Sequence, residues 1–142
     1  MKIEWNKLTP EEKDRAVCEA VGIEPIKAQW MVVNKKGFHI LGFDSCEKAE
    51  AHAKLTRWTT MGPIEVEPDH IFPAVSTDAN ESVVVIHKMI ESGFKMAITS
   101  YGSPELKVAF QHYNSVFKAE SKDCCHAVCI AALRAKGVEV VL

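Results

Sequence analysis

The sequence predicts an α+β fold: an antiparallel sheet covered by helices in a helix–sheet–helix sandwich. Two strand–turn–strand signals imply antiparallel pairing, and four segments with apolar residues at helical spacing follow capping residues. They run in the order α-β-β-α, a long connection, then α-β-β-(β)-α, within 142 residues that suit one domain spanning 1–142.

Thr9 and Glu12 form a capping box for a first helix, 10–21, with Pro10 at its favoured first position. Ala16, Val17, Ala20 and Val21 make its apolar stripe, and Gly22 suits a left-handed stop. Residues 30–33 and 38–41 are short apolar runs flanking Asn34-Lys35-Lys36-Gly37, a four-residue hairpin loop. Asp44 and Glu47 repeat the capping-box spacing before an alanine-rich, charged helix, 45–57, expected at the periphery. Across 58–75, Gly62, Pro63, Pro68 and Pro73 exclude a helix, and 64–67 reads as an edge strand.

Asp78 and Glu81 start helix 78–92, where Ala79, Val83, Ile86 and Ile90 recur at helical spacing and Val84, Val85 and Met89 widen the stripe. Residues 94–100 and 106–113 form a second hairpin around Tyr101-Gly102-Ser103-Pro104, extended by 116–119. Ser121 is expected to cap helix 122–136, Gly137 ends it, and 138–142 adds an edge strand. Val83, Ile86, Ile90, Val128 and Leu133 are the expected core, and helices 10–21, 78–92 and 122–136 are expected to pack on the sheet.

Composition narrows the function classes. A net charge of −2, from 17 basic and 19 acidic residues, gives no general attraction for nucleic acid or an anionic membrane. Only Arg15, Arg57 and Arg134 are arginines, which weighs against a multi-arginine phosphate site. Cys18, Cys46, Cys124, Cys125 and Cys129 are odd in number with two adjacent, behind an N-terminus with no leader pattern, as expected of reduced thiols in a cytoplasmic chain. No apolar run approaches the ~20 residues of a membrane helix.

Ser76-Thr77-Asp78 and Ala127-Val128-Cys129-Ile130-Ala131-Ala132-Leu133 resemble motifs of the phage ABA sandwich family, small bacteriophage proteins with a helix–sheet–helix fold and uncharacterised function. The family's short opening helix is matched by 8–22, its helix start by Ser76-Thr77-Asp78, and its closing Cys-x-Ala-Ala-Leu by residues 129–133. The resemblance covers about half of the chain, mainly 72–136. It departs where helix 45–57 and its hairpin enlarge the middle, and where Val84 and Val85 replace a frequent tryptophan. The resemblance implies a phage-encoded accessory protein in the cytoplasm of a bacterial host, acting by binding rather than catalysis. It implies sequestration of a nucleotide-derived host signal in counter-defence, or blockade of a host protein through an exposed surface.

The chemistry-bearing residues agree with a binding role. Cys125, His126 and Cys129 offer ligands on one helix, but a closed zinc site needs four, so packed thiols are the better reading and neither metal nor cofactor is expected. The six histidines are scattered, and no phosphate loop or His-Glu-x-x-His occurs, so no catalytic residue is assigned. The C-terminal α-β-β-β-α order is similar to a double-stranded-RNA-binding module. There Lys122 is offset by Asp123 at the helix start that should meet phosphate, which disfavours nucleic acid.

The remaining site candidate surrounds the 58–75 connection. Arg57 and Trp58 supply a cation and an aromatic plane, Phe72 a second ring, and Ser76 and Thr77 backbone and hydroxyl donors at a helix start. Together they suit a small nucleotide-like ligand. A helix-end tryptophan lid and simple capping are the structural readings of the same residues. A host protein is the other expected partner, and self-association is compatible with the sequence.

Overall fold

Thr9 caps the first helix as its spacing requires: its hydroxyl accepts from the Glu12 N–H at 3.2 Å, and the Glu12 carboxylate accepts from the Thr9 N–H at 2.8 Å. That helix, α1, spans Pro10–Val21, and Gly22 ends it in the left-handed region at φ 83. A computed structural model describes residues 1–26, 29–34, 40–56, 60–67, 71–100, 102 and 104–142. The fold is mixed α+β, with four helices and antiparallel sheets among the described residues. The chain forms two compact units, one of Met1–Ile23 with Val75–Leu142 and one of Glu24–Ala74.

The Glu24–Ala74 unit has a three-stranded antiparallel sheet: β2 (Trp30–Asn34) lies between β3 (Ile40–Phe43) and β4 (Thr60–Glu65). Ile40 and Leu41 of the run expected at 38–41 lie in β3, and residues 35–39 lie outside the described residues. β4 is an edge strand that overlaps the one expected at 64–67 but begins earlier, at Thr60. It accommodates Gly62 and Pro63 because the register against β2 shifts between Met31 and Val33, so a bulge on an edge strand absorbs them. Helix α2 (Cys46–Leu55) covers this sheet and buries Ala49. Ser45, not Asp44, is its N-cap, accepting from the Lys48 N–H, while Asp44 pairs with the Lys48 ammonium at 2.9 Å. Ser45 wins because it directly precedes the first helical residue.

The other unit holds α3 (Ala79–Glu91), then β5 (Lys95–Thr99), β6 (Leu106–His112) and β7 (Ser115–Ser121) as an antiparallel meander, then α4 (Cys124–Ala135). A short β1 (Lys2–Glu4), which the sequence pattern did not suggest, pairs in parallel with β8 (Glu139–Val141). Helix α4 is the core element, with Val128 and Leu133 fully buried as expected, and it packs on β6, β7, α1 and α3. Its N-cap is Asp123 rather than Ser121. The Asp123 carboxylate accepts from the N–H groups of Cys125 and His126, and the Ser121 hydroxyl accepts from the Asp123 N–H. Arg134 donates to the carbonyls of Lys118 on β7, at 2.6 Å, and Val140 on β8, at 3.5 Å, tying the two sheets together.

One core expectation is overturned. Helix α3 buries Ser82, Val85 and Met89, whereas Val83 is 45% and Ile90 53% exposed and Ile86 is half-buried. The helix is apolar over so much of its circumference that spacing alone does not say which stripe turns inward. Packing against α1, α4 and β5 selects the Val85/Met89 side.

Candidate functional site

The β6–β7 hairpin turns through two residues, Tyr113 and Asn114, because His112 pairs with Ser115. Tyr113 has φ 53, the one non-glycine residue with positive φ among those described, so the first turn position holds a tyrosine where such turns ordinarily take glycine. A side chain in that region costs about 1–3 kcal/mol, and such strain concentrates where function needs it. The Gln111 amide Nε2 donates to the Tyr113 carbonyl at 3.1 Å and steadies the turn. Tyr113 is left 85% exposed.

His112 anchors the ring from below. Its imidazole meets Tyr113 edge-on at 4.5 Å between centroids and Phe94 at 5.1 Å, and Phe94 in turn meets Phe117 at 6.4 Å. A Cβ at Gly93, which has φ 92, would lie 3.6 Å from the imidazole, so the imidazole packs directly over the backbone that ends α3. Lys95 lies opposite Gln111 in the strand register. Gly93, Lys95, Gln111, His112 and Tyr113 line a cleft of about 370 Å³. This size is within the range of small-ligand pockets, roughly 300–1,000 Å³. The Lys136 ammonium lies 5.7 Å from the Phe94 centroid.

A second cleft of about 500 Å³ runs along α1 and is lined by Glu12, Arg15, Ala16, Glu19, Lys136 and Val138 among others. Acids and bases alternate there without an aromatic plane, so its field is weak for an anion with a ring.

A buried polar junction joins α1, α3 and α4. The Asp14 carboxylate accepts from the Ser76 N–H at 2.8 Å, and burial raises its pKa from 3.8 to about 6 despite that bond. The Ser76 hydroxyl lies near enough to lower the same pKa, yet it lacks hydrogen-bond geometry. The Cys129 thiol donates to the Val75 carbonyl at 3.4 Å. Burial pushes the Cys18 thiol up to about 12 and raises Cys129 as well, so both stay protonated and unsuited to nucleophilic attack. Among the described residues, no three His, Cys, Asp or Glu side chains gather around one ion position.

Of the five site residues expected from the sequence, three are among the described residues. Arg57 and Trp58 lie outside the described residues. Phe72 is half-buried in the Glu24–Ala74 unit. Ser76 is fully buried with its N–H held by Asp14, and Thr77 is exposed beside it. Asp78 fills the α3 N-terminus, accepting from Asn80 and Glu81, so its first N–H groups are already engaged. The Asp123 cap does the same at α4, where a double-stranded-RNA module needs lysines.

Sequence reasoning missed the Tyr113 turn because Tyr-Asn is no hairpin signal. Gly93 read only as a helix stop and His112 only as a strand residue. Among the described residues no helix is long and apolar enough to cross a membrane. Comparison with family models, curated proteins and solved structures finds no match to this chain.

Proposed function

We propose that this chain is a non-catalytic binding protein that takes a small anionic ligand bearing a planar ring, a nucleotide-derived signal, at the Tyr113 turn. The observation that carries the reading is a strained, exposed tyrosine ring set beside Lys95 and Gln111 over a small cleft. The ring supplies a stacking plane, Lys95 the charge, and the Gln111 amide oxygen an acceptor for a base edge or hydroxyl. In the phage setting implied by the resemblance of Ser76-Thr77-Asp78 and the Cys129 motif, such binding sequesters a signal of the host cytoplasm. The thermal midpoint of the purified protein is expected to rise with one or more of a panel of purine mononucleotides and cyclic dinucleotides. Tyr113→Ala and Lys95→Glu should each remove that rise. A panel that leaves the midpoint unmoved, or a rise that survives both substitutions, overturns the proposal.

A further inference from the structure

Helix α3 leaves Ala79, Val83, Ile86 and Ile90 as one stripe at i, i+4, i+7 and i+11, beside the stripe it buries. Next to it β5 is an edge strand, and Ile98 on that strand is 45% exposed. Ile98 pairs with buried Val108 and therefore lies on the helix-covered face of the sheet, as α3 does. The opposite edge, β7, has its Lys118 carbonyl occupied by Arg134. No such cap is found on β5 among the described residues, and Lys95–Thr99 contains one charge, no proline and no bulge. Of the devices with which natural sheets blunt an open edge, β5 carries Lys95 at one end, which leaves Met96–Thr99 without a charge or a proline.

We infer that this edge and stripe form a symmetric interface with a second copy of the chain, β5 pairing antiparallel with its counterpart and α3 packing on its counterpart. An open strand edge presents backbone donors and acceptors that a strand satisfies, and a two-fold axis makes the same patch serve both partners. Pairing centred on Ala97 sets Lys95 opposite Thr99 and Met96 opposite Ile98, so no like charges meet and apolar side chains face each other on the covered side. The two elements match in reach: 13 residues of α3 and 5 of β5 both span roughly 17–20 Å. The six-stranded sheet that results leaves the Tyr113 turn of each copy at a distance of two strands from the axis.

Sedimentation velocity of the full chain over on the order of 1–100 μM should show a species of twice the monomer mass growing with concentration. Ile90→Lys and Ile98→Lys should each shift it to monomer with an unchanged far-ultraviolet spectrum, and the milder Ile90→Gln and Val83→Thr should weaken association at least tenfold if the lysine variants unfold. In a Cys124→Ser background, Ala97→Cys should oxidise to a disulfide-linked dimer, whereas Ala109→Cys on the central strand should not. A wild-type chain that is monomeric throughout, including one whose stripe is covered by another protein, overturns the inference. So does a dimer indifferent to Ile90 and Ile98, or equal cross-linking from positions 97 and 109.

Discussion

Asp14, on the first helix, accepts the backbone N–H of Ser76, 62 positions away, at 2.8 Å, with both residues buried. The bond fixes the chain just before α3 against α1, and it accounts for a carboxyl group in an apolar junction. Asp14→Ala leaves that buried N–H without its acceptor and should destabilise the fold by about 1–3 kcal/mol in denaturant titration.

The same carboxyl makes stability depend on pH. Its pKa rises from 3.8 to about 6, first through burial, so between those values the folded chain keeps a proton that the unfolded chain has released. Stability from this group is therefore complete below 3.8 and falls as pH rises through about 6, by on the order of 3 kcal/mol at most. His126 works in the opposite sense: burial lowers its pKa below 6.5, so its contribution is complete above 6.5 and falls as pH drops. The difference between Asp14→Asn and the parent isolates Asp14. The variant keeps an acceptor for Ser76, so it should gain stability at pH 7–8 and none below pH 4. A constant difference across that range contradicts the assignment.

Two residues of α3 separate its buried and exposed faces. Met89 is fully buried, and Met89→Ala should cost about 2–5 kcal/mol. Val84 is exposed and lies off the proposed dimer stripe. Val84→Ala should change stability by about 0.5 kcal/mol or less. Similar losses at both positions would mean that α3 is rotated from the orientation described.

The thiols should differ in reactivity in the native chain. Cys124 is exposed, whereas Cys18 and Cys129 are buried and held protonated by desolvation. Maleimide labelling read by peptide mass spectrometry should modify Cys124 first and reach Cys18 and Cys129 only as fast as the fold opens.

Tyr113 carries backbone strain with little burial, and its edge contact with His112 offsets only part of that cost. Tyr113→Gly should raise stability by about 1 kcal/mol, while Tyr113→Ala should not, because alanine meets the same left-handed restriction. Equal effects of the two changes would place the cost elsewhere.

Much of this fold was legible because capping chemistry is local. Thr9 and Asp78 start helices where their spacing says, and Gly22 ends one. Choices between adjacent candidates were not legible: Ser45 over Asp44 and Asp123 over Ser121 depend on where the first helical residue falls. The inward stripe of α3 was illegible for a different reason. Val83, Ile86 and Ile90 match helical spacing as well as Val85 and Met89 do, and only the packed neighbours distinguish them. β1 was missed because three residues paired in parallel with the distant β8 leave no periodic pattern. The Tyr113 cleft was hidden because it depends on a φ angle and on a strand register that brings Lys95 opposite Gln111.

The most direct test of the proposed binding role is a titration of the isotope-labelled full chain with purine mononucleotides and cyclic dinucleotides, followed by amide nitrogen–proton correlation spectra. Binding at the Tyr113 turn predicts saturable shifts clustered at Gly93, Lys95, Gln111, His112, Tyr113 and Asn114, lost in Tyr113→Ala. Spectra unmoved by every ligand in the panel, or shifts gathered instead around Arg15 and Val138 in the α1 cleft, would contradict it.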